Sequence, residues 1–357
     1  MTPSPPLVLS RLADLLRGAD RGRALARGGL ALGAVVAGRV AQRRALPTPE
    51  ALALLPGTAA WDVPLHEGTV RLSVRRAALE DAAPEALPPV LLLPPLTPVS
   101  SAHEMVPLFE ALAADGTRDV LALDWLGFGR SDRPNVRYQS GLYQRHLRRL
   151  LTHHVGDRPI DLVACGHAAE VAAAVAFAAP ERVRRLVLVA PTGMAHGSLN
   201  AAVFGRMLLG LVSGTGAFDV AFRARLATRE AVRRFYQDHV FLPGAPVPDA
   251  LLDAAAPTVR ARGAAYAPRR LAEGLLSMEE HALGAYRHLR VPTLVVLPSL
   301  TGALAPHYDA LAGLVRANDA LRVVQARGGW LPHAEAPETV LPPVAAFLGA
   351  EAPDAAG

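Results

Sequence analysis

Val70, Leu72 and Val74 alternate with Arg71 and Ser73, and a second apolar stretch at 61–65 precedes Gly68. This period of two predicts an antiparallel hairpin with one wet face. Beyond it the alternation stops. Short, predominantly apolar runs at 90–93, 120–123, 160–164, 186–190, 294–297 and 321–324, interrupted only by Asp161 and Arg322, have the form of strands buried on both faces. Helix-length stretches at 104–114, 141–154 and 170–178 lie between the earlier runs. Strand and helix in alternation predict an α/β fold: a mostly parallel, eight-stranded sheet flanked by helices and wound with right-handed crossovers. From 191 to 290 the pattern changes again, with helical stretches at 201–211, 229–239 and 269–281 and no clear strand. That segment is expected to be a helical cap inserted after the sixth strand.

The same punctuation sets the expected domains. Residues 1–57 form a basic, helical N-terminal extension and a linker carrying Pro47, Pro49 and Pro56. The core comprises 58–191 and 291–350, the cap 192–290, and 351–357 a flexible tail.

Composition changes this picture little. At 51% apolar residues the chain can bury a sizeable core without staples. All 37 basic residues are arginine, a usage expected of a GC-rich bacterial genome. The arginines are spread along the chain and aromatics make up 5%, so the basic balance does not imply nucleic-acid binding. The single cysteine, Cys165, excludes an internal disulfide framework. No histidine or carboxylate spacing suggests a metal site, and no cofactor is expected.

Charge is concentrated only at the N-terminus, where 1–44 hold eight arginines against Asp14 and Asp20 around an apolar stretch at 28–38. Eleven residues are too few to span a bilayer. Leu7, Val8, Leu12, Leu15 and Leu16 suit one helical face. Two readings stay open: a basic amphipathic helix on an anionic membrane surface, or a helix packed on the main domain. The expected location is cytoplasmic, with contact to the inner membrane surface through 1–44 as the further possibility; the oligomeric state is not legible.

Asp124, Gly127, Gly129, Ser131 and Pro134 spell the D-x-x-G-x-G-x-S-x-x-P loop that follows the fourth strand in α/β-hydrolases of the esterase and haloalkane dehalogenase type. Near the other end Pro332, His333, Glu335 and Pro337 resemble the last part of that family's G-H-x-P-H-x-E-x-P motif. The resemblance covers roughly residues 60 to 350. It implies the α/β-hydrolase fold and, by default, a Ser-His-acid triad.

The triad is where the chain departs from the family. Matching the nucleophile phrase G-H-S-x-G to Gly166 and His167 puts Ala168 in the serine's place, and a methyl group has no lone pair with which to attack. Counting from the seventh strand puts Thr301 at the acid. The final motif puts Trp330 where the general-base histidine belongs, and an indole N–H donates but does not accept. His333 matches the family's second, non-catalytic histidine. In the oxyanion loop Pro94, Pro95 and Leu96 stand where many relatives have His-Gly-x, so Leu96 and Ala169 are the expected backbone donors.

The function expected from these residues is that of a pseudoenzyme, binding a small apolar or acyl-like ligand at Leu96, Thr97, His167, Ala168, Ala169 and Trp330. Two alternatives remain. One is a divergent hydrolase with rearranged catalytic residues, for which His103, Glu104 and His167 are the candidates, with Glu170 and His307 nearby. The other is a membrane-associated scaffold.

Overall fold

The computed structural model describes residues 46–78, 87–153, 155, 158–193, 217–276, 278, 280–299 and 311–349. Thr301, His307, the tail and the N-terminal arginine-rich segment lie outside the described residues, as does the helical stretch expected at 201–211. The sheet and its helices belong to the unit Pro47–Gly357.

Eight strands form one sheet: β1 Ala59–Pro64, β2 Thr69–Arg75, β3 Val90–Leu93, β4 Val120–Asp124, β5 Ile160–Cys165, β6 Val183–Val189, β7 Thr293–Pro298 and β8 Leu321–Ala326. Their order is β1-β2-β4-β3-β5-β6-β7-β8. The hairpin is antiparallel and β2 pairs antiparallel with β4; every later pairing is parallel. The apolar runs are strands for the reason that made them legible. β3, β4, β5 and β7 are buried along their whole length, which leaves little room for a polar residue on either face.

Successive residues feed opposite faces. Leu91, Leu93, Leu162 and Ala164 join one apolar cluster, and Val90, Leu92, Val163 and Cys165 the other. On the first face pack α2 (Ser140–His153) and α3 (His167–Ala178), with α8 (Glu280–Arg287) against α3. On the second pack α1 (Val106–Ala113) and α9 (Pro337–Gly349).

Between β6 and β7 the described residues contain no strand. They form α4 Ala217–Leu226, α5 Arg229–His239, α6 Asp249–Arg260, α7 Tyr266–Ala272 and α8. Thr228 caps α5 by accepting the Ala231 N–H at 3.1 Å. The single helix predicted at 269–281 is two: α7 ends near Gly274, whose φ of +76° a residue with a Cβ adopts only under strain, and α8 starts at Glu280. Among the described residues no helix is long and apolar enough to cross a membrane.

The loop after β4 is held by its own polar groups. Asp124 accepts the Ala102 N–H at 2.7 Å and the Arg130 N–H at 3.1 Å, and a Cβ at Gly129 would lie 1.8 Å from its carboxylate. The glycine is required by that close approach.

Candidate functional site

β3 and β5 are neighbours in the sheet, but β3 connects onward to β4 on its other side. The carboxyl ends of β3 and β5 therefore flank a point where the winding reverses, the usual place for a ligand crevice in an open parallel sheet. A cavity of about 330 Å³ opens there. Its walls come from the loop after β3 (Pro95, Leu96, Thr97), the turn after β5 (Gly166, His167) and the loop after β8 (Trp330).

The turn after β5 corrects one sequence expectation. β5 ends at Cys165, α3 begins at His167, and the residue between them, Gly166, takes φ +58° and ψ −128°. This is the sharp strand-to-helix turn on which an α/β-hydrolase exposes its nucleophile. Ala168 is not on the turn: it sits inside the first turn of α3 with no exposed surface and is not among the cavity's lining residues. The register that fits the backbone runs two residues earlier. Ala164, Gly166 and Ala168 then read as small residue, turn residue and small residue, with glycine in the nucleophile's place. The predicted donor Ala169 is corrected with it, because its N–H is spent on the Gly166 carbonyl at 3.1 Å and its side chain is buried. In the corrected register the residue after the turn is His167.

Gly166 and Pro95 fit one another. A Cβ added at 166 would lie 3.1 Å from the Pro95 Cβ, closer than ordinary van der Waals contact. Gly166→Ala is therefore expected to cost about 1–3 kcal/mol, combining a left-handed backbone with that contact. Urea unfolding measures it, and a variant as stable as the parent would refute the reading of this turn.

Trp330 is placed by its backbone. Its N–H donates to the Val240 carbonyl at 2.7 Å, and its carbonyl accepts the Cys165 thiol at 3.4 Å. The half-buried indole faces the cavity. His333 is fully buried and its Nε2 bonds the Glu104 carbonyl at 2.7 Å. Burial pushes its pKa down to about 4, so the ring is neutral and serves as a fastener between the β8 loop and residue 104.

His103 and Glu104, the alternative catalytic pair, do not act on one another. His103 lies against a separate recess of about 40 Å³ with Asp124 and Arg130, and its pKa is lowered, chiefly by burial. Glu104 is buried on the other side of the short 3-10 turn that carries both. Its carboxyl accepts from Tyr236 Oη at 3.1 Å and Thr97 Oγ1 at 3.4 Å, while Oε2 has no partner. Desolvation pushes its pKa up to about 8, against which those hydrogen bonds pull only in part. Neither residue is among those lining the cavity. Glu170 is also fully buried, bonded by the Thr192 hydroxyl and by the Met278 N–H at 2.5 Å.

Of the residues expected at the ligand, the structure brings Leu96, Thr97, His167 and Trp330 to one cavity and leaves Ala168 and Ala169 behind it. The wall that sequence reading missed is α5, which contributes Phe235 and His239. Their rings lie 5.5 Å apart, one helical turn from each other, a spacing visible in sequence but without a sign of where it points. Among the described residues the cavity lining holds two histidines and no carboxylate, and no group of residues could hold a metal ion.

Residues 88–238 match the sequence model of the alpha/beta hydrolase fold. No curated protein matches the chain in sequence. Solved structures do. A probable hydrolytic enzyme from Pseudomonas aeruginosa superposes with a TM-score of 0.60 at 18% identity, covering 85% of this chain and 98% of its own. The enol-lactonase from Burkholderia xenovorans gives 0.58 at 18%, covering 81% and 100%. A bacterial membrane phospholipase A described as a virulence factor gives 0.58 at 19%, covering 95% and 97%. These likenesses establish the fold.

Proposed function

We propose that this chain, an α/β-hydrolase-fold protein, binds a small apolar or acyl-like ligand in the cavity beyond β3 and β5 and does not hydrolyse it by the Ser-His-acid route. The reading rests on Gly166. An acyl-transfer nucleophile must present a lone pair at this turn, and glycine presents a hydrogen atom beside Pro95. Cys165 is no substitute. Its thiol is buried and donates to the Trp330 carbonyl, and burial, with the neighbouring Glu104, raises its pKa well above the usual range, disfavouring the thiolate. Trp330, matched to the general-base position, supports the same reading, since indole cannot take a proton from a nucleophile or a water. The apolar part of the cavity wall, Leu96, Phe235, Leu271 and Trp330, suits the hydrocarbon portion of an apolar or acyl-like ligand.

The second reading, a hydrolase with rearranged residues, draws on His167 and His239, which line the same cavity. A screen of short- and medium-chain p-nitrophenyl esters separates the two, run on the purified chain, Gly166→Ser, and Gly166→Ser with Pro95→Gly. The binding reading expects no turnover from the parent or Gly166→Ser. It also expects a non-hydrolysed ester to stabilise the parent, by about 2.7 kcal/mol at 100 times its Kd. Parent turnover abolished by His167→Ala or His239→Ala would overturn it and establish the second reading.

A further inference from the structure

The cavity does not end at its mouth. A groove of about 1080 Å³ continues from it, and the two share Pro98, Phe235, His239 and Leu271 as common wall. The groove is apolar along α4, where Phe218 and Phe222 stack with ring centroids 6.2 Å apart. It also carries two arginines, Arg225 and Arg234, both exposed.

The neighbouring arginines of α5, Arg229 and Arg233, are committed. Arg229 pairs with Asp249 and Asp253, and Arg233 with Glu230 and Asp249, at 2.6 to 3.4 Å. Arg225 and Arg234 have no hydrogen-bond or ion-pair partner among the described residues. Against these two charges the groove's lining contains one carboxylate, Asp238. Among the described residues neither the groove nor the cavity otherwise offers an anion. The continuous site thus has an inner cavity without a carboxylate and a groove, partly apolar, that carries two exposed arginines absent from the cavity lining.

We propose that cavity and groove together hold one single-chain amphiphile with an anionic end, a medium-chain fatty carboxylate. The alkyl chain lies between Phe235, Leu271 and Trp330, and the carboxylate meets Arg225 and Arg234. This rests on the ligand-binding reading above and adds the ligand's charge and its direction. A guanidinium matches a carboxylate through two parallel N–H donors, and the pairing is strongest where apolar surface limits competing water. The same chain esterified loses the charge and keeps the apolar contact, so the two contributions can be measured apart.

The experiment is calorimetric titration of the intact chain with decanoate, octanoate and methyl decanoate, repeated on Arg225→Gln with Arg234→Gln and on the ion-paired control Arg229→Gln. The parent is expected to bind decanoate at least tenfold tighter than methyl decanoate. Each methylene removed should weaken binding by about fourfold, so octanoate should lose roughly an order of magnitude. In the double variant the decanoate preference over the ester should fall to near one; in Arg229→Gln it should persist. Equal affinity for acid and ester in the parent would overturn the charge inference and leave the binding reading standing. Failure of all three molecules to bind folded parent would overturn both.

Discussion

Glu104→Gln is expected to be more stable than the parent at pH 8, by roughly 3–5 kcal/mol, and to match the parent's stability below about pH 4.5 once a constant offset is removed. The carboxyl is 1% exposed and its pKa is pushed up to about 8 from an ordinary 4.5. Between those values the native chain holds a proton that the unfolded chain releases. Stability contributed by this group is therefore fully present below pH 4.5 and is lost as pH rises towards 8, at about 1.4 kcal/mol per pH unit. Glutamine keeps the shape and does not titrate. His333, pushed down to about 4, works in the opposite direction, gaining stability as pH rises from 4 to 6.5. It is present in both chains, so its effect cancels in the difference. Urea unfolding of both chains at intervals from pH 4 to 8 gives the difference curve. A flat curve would mean that Glu104 is hydrated and ionised, which would also place a fixed negative charge beside Thr97 at the cavity wall.

Asp161→Ala is expected to lose about 3–5 kcal/mol, the usual cost of stranding a buried charge. Asp161 lies at the start of β5 with no exposed surface. It accepts from Arg118 Nη1 at 3.0 Å and from Arg184 Nε and Nη2 at 2.8 and 2.6 Å. Both guanidiniums also reach the Leu348 carbonyl, at 3.1 and 2.6 Å, and so tie the C-terminal helix to the start of two strands. Without the carboxylate two cations share one carbonyl, and Arg118 is only 3% exposed in its side chain. Replacing the two most buried members together, as Asp161→Leu with Arg118→Met, should recover much of the loss, because apolar groups of similar volume need no partner and the more exposed Arg184 keeps the Leu348 carbonyl. Equilibrium unfolding of the single and double variants decides it; a single-variant cost below about 1 kcal/mol would mean that water reaches the cluster.

The sheet and most of its helices were legible because burial on both faces leaves a trace in one dimension. A strand such as Val90–Leu93 has no wet face on which to carry a polar residue, and a loop such as 124–134 needs its glycine where a carboxylate crowds the backbone. Trp330 was legible at the site for a related reason, since Pro332, His333 and Glu335 anchor the register of the β8 loop. The helix break near Gly274 was not, because residues 269–281 hold enough helix formers to conceal one glycine.

At the β5 turn the one-dimensional signal misled. Gly166 and His167 resemble the start of the family's G-H-S phrase, which drew the nucleophile's place to Ala168, although the apolar run ended at residue 164 and left Gly166 as the residue able to turn. Counting from the strand end is the signal that would have found it.

Residue type and spacing were enough for the order of strands and helices, the loop after β4, the lack of a serine in the stretch 160–178 and the aromatic residue at 330. Burial periodicity and turn chemistry act along the chain, and these features are written there. Three others came only from the folded chain: Gly166 takes the strained turn against Pro95, His103 and Glu104 face different surroundings, and Phe235 and His239 close the cavity. Each of those depends on a backbone angle or a side-chain direction set by segments far apart in sequence, and no spacing along the chain encodes it.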